Sequence, residues 1–203
     1  ENIELDSPLI RIAEDGFYFN ETRGRVSDSR LSLFTFADLN DGTTVNVNLL
    51  GHLETSRIKY LVRNKGKTFA EAKYQAQQEV LGIFQFTTAN VENSELLNIA
   101  ELGEGNAKLL AMSVILLGDL TVPHLAQLLT DIQADLRTDG ELDNDTLGPT
   151  LITSARLLNL PSVRYNLDRR LEELDLPVTV PYFEEHVRDF IAKTSYEMPN
   201  EIQ

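Results

Sequence analysis

The sequence predicts an α+β protein that is mainly α, a bundle of antiparallel helical hairpins with a small N-terminal β element. Up to about residue 40, apolar residues alternate with a period of two, as in strands, and beyond it they recur with a helical period. Asp-Gly pairs and single Gly or Pro residues separate these segments. The chain is therefore divided into a β-rich segment, 1–40, a helical domain, 41–194, and a frayed tail, 195–203.

Three strands are predicted in the β-rich segment, at 9–13, 17–19 and 31–37, with an exposed polar loop at 20–30. Three strands alone leave open edges, which a folded protein must pair or cover. Either the helices cover one face of this sheet, or the segment holds the last strands of a larger β-sandwich.

The strongest helical pattern lies in 44–84. Apolar residues recur every three to five positions from Val47 to Val62, which gives the first helix one apolar stripe. The opposite face is predicted to carry His52, Glu54, Arg57 and Lys59.

A second helix follows directly. Gly66 ends the first helix, because glycine tolerates the left-handed conformation of many helix ends. Thr68 and Glu71 have the spacing of a capping box. Ala72 and Ala76 are small enough to let the helices approach closely, so an antiparallel hairpin is predicted.

Further helices are predicted at 94–102, 107–117, 121–137, 144–158, 163–174 and 183–191. The helix at 107–117 is apolar almost all round and is placed at the centre of the bundle, with Gly118 at its end. Ser162 is predicted to cap the helix at 163–174, and 178–180 to form an extended link.

Composition narrows the possible functions. The net charge of -14 argues against binding nucleic acid or anionic lipid through a basic face. No apolar run approaches the roughly 20 residues that span a bilayer. The absence of cysteine excludes disulfides and thiolate metal sites. Because the chain begins at Glu1 without Met, we expect a processed or truncated form.

The sequence Gly-Lys-Thr at 66–68 matches the end of a phosphate-binding loop. That loop requires a glycine five positions before Gly66, where this chain has Leu61, and a preceding strand, where a helix is predicted. We interpret it as a turn between helices.

The acidic segment 131–146 is the best candidate for a metal site. Its candidate calcium ligands are Asp135, Asp139, Asp143 and Asp145. In a calcium-binding loop, however, Arg137 falls at the third position and Thr146 at the twelfth, where carboxylates are expected. The alternative is a solvated acidic turn between two helices.

No catalytic residue or cofactor is predicted. The three histidines lie on separate predicted helices without a second ligand three or four residues away, at His52, His124 and His186. A serine nucleophile motif is absent. The carboxylates are too numerous for sequence alone to select an acid–base pair.

Five short motifs form a colinear pattern from residue 16 to residue 72: GFYFNE, LSL, ADL, TVNVNLL and GKTFAEA. The pattern resembles that of exported surface lipoproteins of Bacteroidetes and related bacteria, where it follows a β-sandwich similar to carboxypeptidase regulatory-like domains. The resemblance implies a secreted or cell-surface location, with a lipid anchor outside this chain. It implies no catalytic residues.

We therefore expect a non-enzymatic cell-surface module for adhesion, glycan handling or surface assembly. Its partner would be a cell-surface protein or glycan and not a nucleic acid. It would be attached to the membrane only through the lipid anchor. The alternative is a calcium- or small-ligand-binding helical domain that uses the acidic loop 135–145. A third hypothesis is a hydrolase with an unrecognised site, but no nucleophile–base motif supports it.

Overall fold

The computed structural model describes residues 9–40 and 44–198. It confirms the mainly α class with a small antiparallel β element. The strands are β1 (Leu9–Gly16), β2 (Phe19–Asn20), β3 (Arg25–Val26) and β4 (Leu31–Asp38). The helices are α1 (Leu49–Lys65), α2 (Phe69–Ile83), α3 (Glu104–Leu117), α4 (Val122–Asp139), α5 (Leu147–Leu157), α6 (Leu160–Glu173) and α7 (Glu184–Lys193).

The β element differs from the predicted three strands. β1 and β4 form one antiparallel pair, in register from Leu9 opposite Asp38 to Gly16 opposite Leu31. The middle predicted strand, 17–19, contributes instead to a separate short hairpin of β2 and β3. The prediction of an exposed loop at 20–30 is wrong at its start. There the Asn20 side chain is buried and accepts hydrogen bonds from the turn that follows it.

α1 packs on β4, so helices cover one face of the β1–β4 sheet, the first of the two predicted arrangements. Phe36 of β4 is buried in a small core with Ile58 and Leu61 of α1 and the two close-packing alanines of α2. This core fixes the sheet against the first hairpin.

The predicted hairpin of α1 and α2 is confirmed. Asn48 caps α1 by accepting the amide of Gly51, and Gly66 ends it at φ +65. Thr68 and Glu71 form the predicted capping box. The second face of α1 is not open to solvent, because three of its four polar residues are buried beneath neighbouring elements: His52, Glu54 and Arg57.

α3 is the central helix, as its composition predicts. Nearly all of its residues are buried, and it packs against α1, α4, α5 and α7. Gly118 ends it at φ +44, a conformation that favours glycine. The main hydrophobic core of the described residues surrounds this helix.

Two other boundaries differ from the predictions. The predicted helix at 94–102 is only a 3-10 turn, Ser94–Leu96, and the Asn98 side chain bonds to the amide of Ala100 in the irregular segment that follows. α6 begins at Leu160 with Asn159 as its cap, because the Asn159 side chain accepts the amide of Ser162. The segment 178–180 has no regular secondary structure.

After α7, Tyr196 packs against the main core, with its ring 6.3 Å from that of Phe190. Residues 199–203 of the predicted tail lie outside the described part of the chain. Within the described ranges no single helix has the length and composition of a membrane span. Only α3 and α4 taken together have that length and composition, and the chain bends by 115° between them.

Candidate functional site

A groove of about 880 Å³ lies between the C-terminal end of α3, α4, α5, the start of α6 and the turn 21–24. Its volume is in the range of ordinary small-molecule sites. The aliphatic part of its wall includes Ile115, Leu116, Leu128, Leu151, Leu157 and Leu158. Leu157 is 78% exposed, so apolar surface continues from the groove to the outside of the protein.

Three hydroxyl side chains of α5 line the groove: Thr150, Thr153 and Ser154. The Thr153 hydroxyl is buried and has no hydrogen-bond partner among the described residues. Thr150 is exposed, and its hydroxyl donates to the carbonyl of Thr146. A ligand with one polar group has a free partner at Thr153, because a buried hydroxyl without a hydrogen bond is costly.

The turn 21–24 forms one wall of the groove and is held firmly. It bonds to the end of α3 and to α6 through Thr22 Oγ1 to the Gly118 carbonyl (2.7 Å), Arg23 to Asp119 (2.9 Å), Asn166 Nδ2 to the Glu21 carbonyl (2.9 Å) and Arg169 Nη2 to the Gly24 carbonyl (2.6 Å). These bonds join residues 96 to 145 positions apart in sequence. The groove is therefore preformed.

The predicted calcium residues lie at the turn between α4 and α5. Asp135 accepts the backbone amides of Asp143 and Asn144, and Asp139 accepts that of Glu141. Asp145 lines the groove. Over the described ranges, no three His, Cys, Asp or Glu side chains are grouped so as to hold a metal ion. Calcium binding stays a prediction, which thermal melting with calcium, with and without Asp139→Ala, would test.

The three histidines occupy separate helices, α1, α4 and α7. His124 is exposed and bonds to Thr121, and the His186 ring meets the edge of Phe86. His52 is buried, and its Nδ1 accepts the amide of Phe34 at 3.0 Å. His52 thus continues the hydrogen bonding of the outer edge of β4.

Burial lowers the pKa of His52 to about 4. A histidine in the unfolded chain titrates near pH 6.5. Below that pH the unfolded state therefore binds a proton that the folded state does not bind. The effect of His52 on the free energy of unfolding is therefore small above pH 6.5. Below that pH the free energy of unfolding falls as the pH drops toward 4. Between pH 7 and pH 5 this single group is expected to cost about 2 kcal/mol.

His52→Asn tests this pH dependence, because the asparagine oxygen can accept the Phe34 amide but does not titrate. Urea unfolding at both pH values should show a stability loss smaller by about 2 kcal/mol in His52→Asn than in the unmodified protein. The exposed-histidine control, His124→Asn, should behave like the unmodified protein. An equal loss in all three would contradict the burial of a neutral His52.

A buried charged cluster lies beneath α1 and α2. Lys73 contacts Glu95 at 2.8 Å, Glu54 at 3.1 Å and the Ser94 hydroxyl at 2.9 Å. Burial raises the pKa of Glu54, although Lys73 opposes it. Burial alone would lower the pKa of Lys73, but the two carboxylates outweigh it and the pKa is raised. The cluster joins α1, α2 and the 3-10 turn and is closed to solvent, so its role is structural.

Arg57 forms a second structural link. It bonds to both oxygens of Glu79 at 2.7 and 2.8 Å. It also donates to the carbonyls of Arg137 and Asp139, where α4 ends. Neither the Lys73 cluster nor the Arg57 bonds were predicted from the sequence. The periodicity of α1 does not distinguish a polar residue that faces solvent from one that faces another element.

No protein-family model matches the chain, and neither the curated proteins nor the solved structures give a significant match. The groove was also missed by sequence analysis, since Thr22, Leu128 and Thr153 come from three distant segments. Only Asp145 of the predicted site residues belongs to it.

Proposed function

We propose that the protein is a non-enzymatic ligand-binding module and that the groove between α4, α5 and the turn 21–24 is its binding site. The observation that carries the proposal is the preformed cavity of about 880 Å³ with an aliphatic wall and an unpartnered hydroxyl at Thr153. Binding sites combine such apolar walls with a few well-placed polar groups.

The lining favours a ligand with an aliphatic body. Aromatic side chains offer large flat apolar surfaces, which suit the ring faces of a sugar. The described lining of the groove has no aromatic residue. Of the expected roles, a glycan therefore fits this groove less well than an amphiphile whose hydroxyl or amide reaches Thr153. An acyl chain or an aliphatic peptide side chain has this chemistry.

The same lining supports binding rather than catalysis. Among its described residues it holds no His, Lys or Cys to act as base or nucleophile. Arg23 is already paired with Asp119, and the Ser154 hydroxyl donates to the carbonyl of Ile115.

We propose that the protein lies on the bacterial cell surface, where a lipid anchor outside this chain attaches it. The support is the motif pattern at 16–72 and its resemblance to exported lipoproteins. A signal peptide in the upstream coding sequence, followed by a lipidation cysteine, is the expected finding, and its absence from the complete gene would contradict this location.

Binding is tested with 1-octanol as probe and a variant that fills the groove. Thr150→Trp adds a large ring at an exposed position of the lining, so the affinity for 1-octanol should fall at least about tenfold, which is 1.4 kcal/mol. Calorimetric titration measures the affinity. The matched control is Thr130→Trp, because Thr130 is also exposed, helical and bonded to the carbonyl four residues before it, but lies outside the groove.

Equal weakening by both tryptophan variants, or no binding of 1-octanol by the unmodified protein, would overturn the proposal. Unchanged affinity in Thr150→Trp would place the site elsewhere.

A further inference from the structure

A second cavity, of about 260 Å³, lies between β2, β4, the start of α1 and the middle of α3. Six buried leucines line it: Leu31, Leu49, Leu97, Leu109, Leu117 and Leu125. Leu33, Val47 and Ile99 also line it and are partly exposed, so a small molecule can reach it from solvent.

One polar side chain in this lining has an unpartnered atom. Glu21 is only 8% exposed, and its Oε2 atom has no hydrogen-bond partner among the described residues. By contrast, Asn48, Asn98 and Ser113 of the same lining use their side chains in bonds within the protein. A buried carboxyl oxygen without a hydrogen bond is costly, so the free Oε2 atom of Glu21 favours a ligand with a donor group.

The charge of the lining indicates which donor fits. The described lining contains no Lys, Arg or His beside Glu21. An ionised carboxylate only accepts hydrogen bonds, and a cationic donor adds the attraction of opposite charges to the bond.

We propose that this cavity binds a small aliphatic primary amine, whose ammonium group donates to the Glu21 carboxylate while its chain packs against the surrounding leucines. Burial raises the pKa of Glu21 to about 7, since no cation in the lining stabilises its charge. An ammonium ion supplies that missing charge.

Glu21 is placed for this role by the turn 21–24. Its carbonyl accepts a hydrogen bond from Asn166 of α6, which fixes the backbone from which the carboxyl group enters the cavity. The next two residues of the turn, Thr22 and Arg23, line the groove instead, and the two linings share no residue. The amine site is therefore separate from the groove and goes beyond the proposed function.

The test compares hexylamine with 1-hexanol, which has the same length and shape but no charge. Binding is followed at the methyl resonances of Leu33 and Ile99, which line this cavity and not the groove. Hexylamine should bind the unmodified protein at least about tenfold more tightly than 1-hexanol. Glu21→Gln keeps the shape and removes the charge, so it should abolish that preference, with an unchanged methyl spectrum showing that it folds.

Three outcomes would overturn this inference: no hexylamine shift at these methyl groups, equal affinity for amine and alcohol, or a preference that survives in Glu21→Gln. The first two need no variant, so the inference is testable even if Glu21→Gln does not fold. Thr150→Trp should leave hexylamine binding here unchanged. Failure at the groove and failure at this cavity are thereby distinguishable.

Discussion

Replacement of Lys73 by Met should lower the free energy of unfolding by about 3 to 5 kcal/mol. The substitution keeps the length of the buried side chain but removes the only cation that contacts both Glu54 and Glu95 among the described residues. Both carboxylates are almost completely buried, and one oxygen of each already lacks a hydrogen bond. Removal of one partner leaves uncompensated charge in the interior, which costs far more than the pair contributes.

Denaturant unfolding at pH 7 measures this loss, with Lys193→Met as the control. Lys193 also pairs with a carboxylate, Asp189, but on the surface of α7, where such a pair contributes at most about 1 kcal/mol. The double variant Lys73→Met, Glu54→Gln should recover part of the loss, because it removes one of the two like charges. Similar losses for Lys73→Met and Lys193→Met would show that the cluster is not buried as described.

Truncation of Phe84 to Ala is also expected to cost about 3 to 5 kcal/mol. Phe84 follows α2 and is completely buried. Its ring lies 5.9 Å from that of Phe86 and 5.8 Å from that of Phe190 on α7, so the substitution opens a cavity where the first hairpin meets the last helix. Thermal or denaturant unfolding provides the measurement.

Phe17→Ala is the matched control for this truncation. Phe17 is 61% exposed, so the same change of side chain there removes little buried surface and should cost less than about 1 kcal/mol. A loss in Phe84→Ala no larger than in Phe17→Ala would contradict the packing of α7 on the hairpin.

The parts of the fold that follow from sequence are those set by local chemistry. The end of α1 and the start of α2 were predicted because a glycine and a capping box act within one helical turn. α3 was predicted to be central because its apolar residues continue around the helix. These signals need no knowledge of other elements.

What sequence analysis missed depends on contacts between distant segments. Glu54 has the periodicity of a surface residue, and its burial becomes tolerable only because Lys73 and Ser94 meet it. The 20–30 segment looked like an exposed loop because its anchors to α6, Asn166 and Arg169, are more than a hundred residues away. Both cavities border this segment, so neither was predictable from local pattern.

Methyl-resolved NMR during a titration with 1-octanol shows whether the groove beside α5 is a ligand site. Ile115, Leu128 and Leu151 line the groove, whereas Leu33, Leu49 and Leu97 line the second cavity. The expected result is saturable shifts concentrated at the first three residues, with an affinity at least about tenfold lower in Thr150→Trp. Shifts spread evenly over both sets, or none at millimolar 1-octanol, would contradict a ligand site in the groove.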